Sequence, residues 1–219
     1  MWNSQVIIML LEGIRDTLYM TLASTLFGYI IGLPMGIVLT VTDKDGIRPN
    51  AAVYKVLDVI SNLLRSIPFI ILLIVLIPFT RFVVGRSYGS TATIVPLTIA
   101  AAPYIARMVE SSLKEVDAGV IEAARSMGAS DFQIVTKVML VEARTSLIVG
   151  ATISLGTILG YSAMAGTVGG GGLGDIAIRY GYTRLQTDIM VVTVVLLVIL
   201  FQIFQTIGMK IANRLDRRK

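Results

Sequence analysis

The sequence predicts an all-α, polytopic membrane protein with about five transmembrane helices. Its 219 residues are 55% hydrophobic, with a mean hydropathy of +0.80, and only 15% of them are charged. Charged residues make up about 25% of an average soluble domain. Several apolar runs also approach the roughly 20 residues that a helix needs to cross the hydrocarbon core. Composition and run length together exclude an ordinary soluble protein.

Each predicted span is an apolar run that ends near a charged residue or a glycine. The spans are expected at residues 17–41, 64–83, 91–110, 145–165 and 189–209. The transmembrane domain would cover residues 17–211, between an external or interfacial N-terminal segment (1–16) and a basic cytoplasmic tail (212–219). Because residues 1–16 lack a basic n-region and a small-residue cleavage site, we expect no cleavable signal peptide.

The distribution of Lys and Arg predicts the orientation. Thirteen of them fall in the first connection, the third connection and the tail, against five on the opposite side. Cytoplasmic segments carry the excess of positive charge, so the N-terminus is expected outside and the loop 111–144 and the C-terminus in the cytoplasm. The net charge of +5 then reflects orientation and contact of the tail with anionic lipid, and we expect no nucleic-acid partner.

Several kinds of chemistry are missing from the sequence. It contains no Cys and no His, which excludes thiolate nucleophiles, imidazole acid–base chemistry and the usual zinc ligands. It contains no Gly-Lys pair, so no G-x-x-x-x-G-K-[ST] phosphate loop exists. We therefore predict no catalytic residue, no metal site and no cofactor on this chain. If ATP powers transport, ATP and Mg are bound by a partner ATPase.

Two weaker patterns bear on the transport class. By the predicted boundaries no acid lies deep in a span, since Glu110 sits at a span end and Asp58 precedes one. This disfavours a proton- or sodium-driven carrier. Gly169, Gly171 and Gly174 formally match G-x-G-x-x-G. Without a preceding strand they predict a flexible connector between spans four and five, not a dinucleotide site.

Glycines at four-residue spacing predict close helix contacts. In the first span they are Gly28, Gly32 and Gly36, and in the fourth they are Gly156 and Gly160. Small residues at this spacing let helix backbones approach each other in a membrane. We expect these contacts within one subunit rather than at a dimer seam.

Residues 116–139, which we call the elbow, predict two short helices outside the membrane. Gly128 is placed as the left-handed residue that ends the first helix. Ser130 and Gln133 form a predicted capping box for the second. Phe132, Val135 and Met139 would form one apolar stripe along it. The elbow is either a rigid cytoplasmic protrusion that docks a partner or a helix pair lying on the lipid surface.

The elbow resembles the EAA loop of ABC importer permeases of the type I membrane fold. The match is Glu122, Ala123, Ala124 and, after three further residues, Gly128. In that family the loop is a coupling helix that docks in a groove of the ATP-binding subunit. The resemblance implies that the coupling contact is made by six residues: Glu122, Ala123, Ala124, Gly128, Ser130 and Phe132. The family loop continues to I-x-L-P, whereas this chain has Val138, Leu140 and Val141 there and lacks the proline.

Residues 65–81, 94–110 and 160–174 extend the resemblance to permease subunits of D/L-methionine ABC importers. The resemblance implies a multi-pass protein of the bacterial cytoplasmic membrane that moves methionine by alternating access. It also implies four partners for each chain: a second copy of itself, two ATP-binding ABC subunits and an extracytoplasmic substrate-binding lipoprotein. ATP hydrolysis would belong to those partner subunits, and this chain would not be an enzyme.

Met164 is a candidate gate of the transport pathway, because it continues the Gly156–Gly160 row by four residues and is soft and apolar. Tyr161 and Ser162 are candidates to line the same pathway. The alternative for Met164 is a packing role at a helix end.

Other functions stay open at this point. A related ABC importer permease could carry another amino acid. A small carrier or channel that is not driven by ATP would also be polytopic. A membrane scaffold subunit could use the elbow for docking without any pathway.

Overall fold

The computed structural model describes residues 4–216, and this part of the chain is helical between short connections, with no strand. The α-helices are α1 Ser4–Thr42, α2 Ala51–Ser66, α3 Phe69–Val75, α4 Ile77–Val84, α5 Ser90–Lys114, α6 Ala118–Ser126, α7 Asp131–Gln133, α8 Leu140–Glu142, α9 Arg144–Ala165, α10 Gly172–Ile176 and α11 Thr187–Leu215. Two π-helical segments, Ile134–Met139 and Ala177–Tyr182, and a 3₁₀ turn, Gly166–Val168, complete the series.

Four of the described helical segments are long and apolar enough to cross a membrane, and the bent pair α2–α3 raises the number to five. The predicted all-α class and span number are confirmed. The first helix begins earlier than predicted, at Ser4, so residues 4–16 are helical. At the other end α11 includes residues 212–215, while residues 217–219 of the predicted tail lie outside the described part.

The second span differs from the prediction of one helix over residues 64–83. Helix α2 ends at Ser66, α3 starts at Phe69, and the two are bent by 101° at this break. The reason is Pro68, which lacks an N–H and pushes the preceding residue out of the α region. Pro78 then occupies the first turn of α4, where a missing N–H does no harm. Two prolines thus divide a hydrophobic run that looks continuous in sequence.

The glycine-rich connection after α9 is ordered, which corrects the prediction of a flexible connector. Gly169, Gly171 and Gly172 have φ values of 78°, 84° and 76°, a region that glycine adopts without strain. These turns lead directly into α10, where the N–H of Leu173 donates to Thr17 Oγ1 at 2.9 Å. Since Leu173 is fully buried, the connection is part of the packed interior.

The chain divides into two compact units, each with its own interior. Unit one comprises residues 4–27, 67–101 and 155–205, and unit two comprises residues 28–66, 102–154 and 206–216. The core of unit one contains a buried cluster of Met20, Phe69, Leu73, Leu97 and Ala165.

In unit two, α1 and α5 approach closely at two predicted glycines. A Cβ on Gly32 would lie 2.6 Å from the carbonyl oxygen of Ala102, and one on Gly36 would lie 2.5 Å from that of Ala106. No side chain fits at either position, which confirms the predicted close contact of helix backbones. Gly160 behaves differently, because a Cβ there would meet no described atom within 4 Å.

Candidate functional site

The first helix of the elbow is capped at both ends by its own sequence. The carboxylate of Asp117 accepts from the N–H of Gly119 at 2.7 Å, which places Asp117 at the N-cap of α6. At the other end Gly128 has φ +82°, and its N–H donates to the carbonyl of Arg125 at 3.0 Å. The N–H of Ala129 donates to the carbonyl of Ala124 at 3.1 Å. The prediction that Gly128 is the left-handed residue after this helix is confirmed.

The second helix starts with the predicted capping box. Ser130 Oγ accepts from the N–H of Gln133, and Gln133 Oε1 accepts from the N–H of Ser130 at 2.9 Å. After one turn, α7 passes into the π-helical segment Ile134–Met139 and then into α8. Both halves of the elbow therefore have a defined start, so their relative geometry is set locally.

The predicted apolar stripe of the second helix is wrong in one member. Val135 and Met139 are buried, but Phe132 is 77% exposed. Phe132 belongs to α7, whereas the other two lie in the π segment, whose wider turns change the angular spacing that an α-helix would give. Met127, between the two helices, is 81% exposed. Two large apolar side chains thus project from the tip of the elbow.

The six predicted coupling residues divide into two groups. Ala124 is buried, at 5% exposure, and so packs inward within its own unit. The other five are exposed: Glu122, Ala123, Gly128, Ser130 and Phe132. Beside the tip, Met127, Gly128, Gln133 and Lys137 are among the residues that line an open concavity of about 420 Å³. The elbow therefore exposes small, apolar and polar groups together.

Arg125 fastens the elbow to the connection between α1 and α2. Its Nη2 donates to the carbonyl of Ile47 at 2.9 Å and lies 3.8 Å from Asp131 Oδ1. Arg125 and Asp131 belong to different helices of the elbow, so one guanidinium contacts both helices and the neighbouring loop. Arg125 therefore contacts the second helix of the elbow and the connection after α1, all within unit two.

A charged cluster that the sequence analysis missed lies next to the elbow. Glu110, in α5, is only 4% exposed; its carboxylate contacts Arg107 Nη1 at 2.7 Å and Lys114 Nζ at 2.8 Å. Arg107 also pairs with Asp58, and Lys114 lies 2.7 Å from Asp43 Oδ2. The hydrogen bond from Lys114 lowers the pKa of Asp43 below its ordinary value.

The sequence analysis places Glu110 at a span end and Asp58 before a span, and it assigns neither residue a partner. The available signal was the spacing of Arg107, Glu110 and Lys114, which places them on one face of a helix. Their partners, in α2 and in the connection after α1, are too distant in sequence to be inferred from spacing.

The three pathway candidates lie in α9 but in different surroundings. Met164 is 51% exposed. Tyr161 is partly buried, and its ring stacks on that of Phe69. Ser162 is 1% exposed and donates from Oγ to the carbonyl of Leu159 at 2.7 Å. Within this chain, Ser162 therefore faces the interior of unit one, whereas Met164 reaches its surface.

No group of three or more Asp or Glu side chains among residues 4–216 is arranged to hold a metal ion. In unit two, Asp43, Asp58, Arg107, Glu110 and Lys114 pair with one another.

The chain matches the family of binding-protein-dependent transport system inner membrane components over residues 19–219. It is 48% identical to a probable D-methionine transport system permease protein of Vibrio cholerae over 210 residues, which cover 96% of this chain and 93% of that protein. The D-methionine transport system permease protein of Escherichia coli K12 is 54% identical over 158 residues, 72% of this chain and 73% of that one.

Solved structures agree with these relatives. A chain of the methionine ABC transporter MetNI, in an inward-facing conformation, superposes with a TM-score of 0.97 at 50% identity, covering 99% of this chain and all of that one. An amino acid ABC transporter solved with histidines is 19% identical, with a TM-score of 0.78 over 96% of this chain and 95% of that one, and shares the fold. Family match, identity and fold agree over nearly the whole length, and the chain belongs to the binding-protein-dependent transport system inner membrane components.

Proposed function

We propose that this chain is the permease subunit of an ABC importer that carries methionine across the bacterial cytoplasmic membrane. The observation that carries this proposal is the 0.97 TM-score with a chain of the MetNI methionine transporter, at 50% identity over 99% of this sequence. The relatives named as D-methionine permeases support the same substrate. The alternative function is import of another amino acid by a permease that shares this fold.

The elbow is the part of the chain that binds the ATPase and transmits its conformational change. Its tip exposes Met127 and Phe132, two large apolar groups of the kind that anchor protein interfaces. Glu122, at the exposed face of α6, supplies a charge that a basic group of the ATPase can pair with. Gly128 gives the tip its turn, and Arg125 holds its two helices together. ATP and Mg are bound by the ATPase, and this chain converts their cycle into motion.

Transport follows as alternating access. Two copies of this chain, two ATPase subunits and an external binding lipoprotein form the assembly, with the N-terminus outside and the elbow in the cytoplasm. ATP closes the ATPase pair, the elbows move as rigid levers, and the helices of the two copies change from inward-open to outward-open. Hydrolysis then returns them. In this scheme, Met164 gates the pathway and Tyr161 forms part of its lining.

Reconstitution of the complete complex in vesicles tests the proposal. The chain, its ATPase and the binding protein are incorporated together, and uptake of labelled D- and L-methionine is followed with ATP or with a non-hydrolysable analogue. We expect uptake only with the binding protein and hydrolysable ATP. A complex with an ATPase inactivated in its hydrolytic glutamate is the matched control.

Three results would contradict the proposal in different ways. Uptake that persists without ATP indicates a carrier or channel. Absence of any flux from an intact, ATP-hydrolysing complex indicates a scaffold. Uptake of another amino acid, with methionine neither carried nor competing, indicates a related importer of different specificity.

A further inference from the structure

We infer that the buried carboxylate of Glu110 is a positioning residue for transport, which ties α2 and the end of α1 to α5 so that they move with the elbow. The Glu110 cluster consists of Asp43, Tyr54, Asp58, Arg107, Glu110 and Lys114. The inference rests on the proposed function, because it concerns how motion of the elbow reaches the membrane helices. All of these residues belong to unit two.

Glu110 is the centre of the cluster. Its two oxygens are divided between two cations, with Oε2 at 2.7 Å from Arg107 Nη1 and Oε1 at 2.8 Å from Lys114 Nζ. The side chain is 6% exposed, so these partners, together with Tyr54, replace most of its hydration. A buried charge that loses its partners is strongly destabilised, so the connection resists being pulled apart.

One face of α2 contacts α5 through polar side chains. Tyr54, Asp58 and Asn62 recur every four residues and so lie in one row along the helix. The hydroxyl of Tyr54 donates to Glu110 Oε1 at 3.3 Å, Asp58 pairs with Arg107, and Asn62 Oδ1 accepts from Arg107 Nη2 at 3.0 Å. Two turns of α2 are therefore held against α5 by polar, directional bonds.

The other side of the cluster leads to the elbow. Lys114 is the last residue of α5, and α6 begins at Ala118. Lys114 also contacts Asp43 at 2.7 Å, while Arg125 of α6 bonds the carbonyl of Ile47 at 2.9 Å. The connection after α1 is thus fastened at two points, once to the end of α5 and once to the elbow itself.

The chemistry of this contact suits transmission of force better than apolar packing would. Apolar burial attracts without direction, so it does not by itself fix how two helices are oriented. Hydrogen-bonded ion pairs in a low-dielectric setting have discrete geometries, and breaking one leaves an uncompensated charge. A displacement of α6 should therefore carry α5, α2 and the end of α1 along as one piece.

The first test replaces Glu110 in the complete complex. Glu110→Gln keeps the shape of the side chain and removes its charge, and Glu115→Gln makes the same change at an exposed site five residues later. We expect Glu110→Gln to retain basal ATP hydrolysis but to lower the stimulation by binding protein and methionine at least about fivefold, the lower end of usual coupling between sites. Glu115→Gln should match the wild type. Normal stimulation in Glu110→Gln would overturn the inference.

The second test separates force transmission from folding. The chain has no cysteine, so Asp58→Cys with Arg107→Cys places one reactive pair between α2 and α5 in place of the ion pair. The assembled complex is treated with a reversible bifunctional thiosulfonate. We expect the double variant to be uncoupled, to regain stimulated hydrolysis and uptake when the bridge forms, and to lose both after reduction.

Two outcomes of the second test count against the inference. The same double variant is also made with Glu110→Gln, so that loss of Arg107 leaves no buried charge without its cation. A bridge that forms in this background without restoring coupling shows that the tie between α2 and α5 does not transmit the motion. A bridge that does not form with linkers of any length shows that the two helices do not face each other in the complex. Failure of the proposed function is distinguishable, because then the wild-type complex itself shows no ATP-dependent methionine uptake.

Discussion

The rings of Phe69 and Tyr161 are stacked, with centroids 4.6 Å apart and planes within 5° of each other. Phe69 opens α3 directly after Pro68, and Tyr161 lies in α9, so the pair joins these two helices inside unit one. Such a pair fixes the ring of Tyr161 in one orientation. Met164, three residues later, is half exposed. The packed ring of Tyr161 and the exposed side chain of Met164 therefore lie about one turn apart in α9.

Replacing Met164 should alter transport without unfolding the protein. Met164→Ala removes a flexible group from a surface position, so we expect stability within about 0.5 kcal/mol of the wild type. Methionine uptake or basal ATP hydrolysis in the reconstituted complex should change, while Met164→Leu, which conserves volume, should stay close to the wild type. If both activities of Met164→Ala equal those of the wild type, Met164 is a packing residue.

The conformation of Gly128 gives a second prediction. With φ at +82°, a β-branched residue is strained by about 1–2 kcal/mol, although a Cβ there would meet no described atom within 4 Å. Gly128→Val should therefore distort the turn and lower methionine-stimulated ATP hydrolysis in the complex. Gly128→Asn is the control, because asparagine tolerates this region. If methionine stimulates ATP hydrolysis equally in both variants, the left-handed turn at residue 128 is not required for docking to the ATPase.

The capping box gives a third prediction. Ser130→Ala removes the acceptor for the N–H of Gln133 and should destabilise the second helix of the elbow by about 1 kcal/mol. Hydrogen exchange of residues 131–136 in the purified complex should become faster. Ser130→Thr restores a hydroxyl and should keep most of the protection. Unchanged exchange in Ser130→Ala would show that packing alone holds this helix.

A fourth prediction compares two glycines that look alike in sequence. Gly36→Ala places a methyl group 2.5 Å from the carbonyl oxygen of Ala106. Overpacking of this kind costs about 1–3 kcal/mol. Gly160→Ala meets no described atom within 4 Å and should be neutral in the chain itself. Heating of the detergent-solubilised complex, followed by size-exclusion chromatography, should show a lower Tm for Gly36→Ala only. The reverse order would mean that Gly160 is the closer helix contact in the assembly.

The elbow was predictable from sequence because its signals are local. A helix end at Gly128 and a cap at Ser130 with Gln133 depend on hydrogen bonds that span a few residues. The all-α class and the span number were predictable for a related reason, since crossing the bilayer demands long apolar helices. The resemblance to importer permeases was also carried by contiguous motifs, and the family match confirms it.

The features that sequence reasoning missed depend on tertiary contacts. The partners of Glu110 include Tyr54, which precedes it by 56 residues, so no spacing rule could join them. The glycine connection looked flexible because its packing against Thr17 is a contact over 156 residues. The division of the second span was within reach of sequence analysis. Pro68 disfavours a continuous helix at this point, but the high hydropathy of the residues on both sides favoured the prediction of a single span.

The π-helical segment Ile134–Met139 has a consequence for how such proteins can diverge. A π turn holds one residue more than an α turn in the same place. Losing a single codon there would leave an ordinary α-helix whose flanking residues keep their faces, because the π turn already absorbs the extra residue. A lineage could in this way lose one residue from this helix while the docking tip kept its direction and every residue of the tip stayed the same.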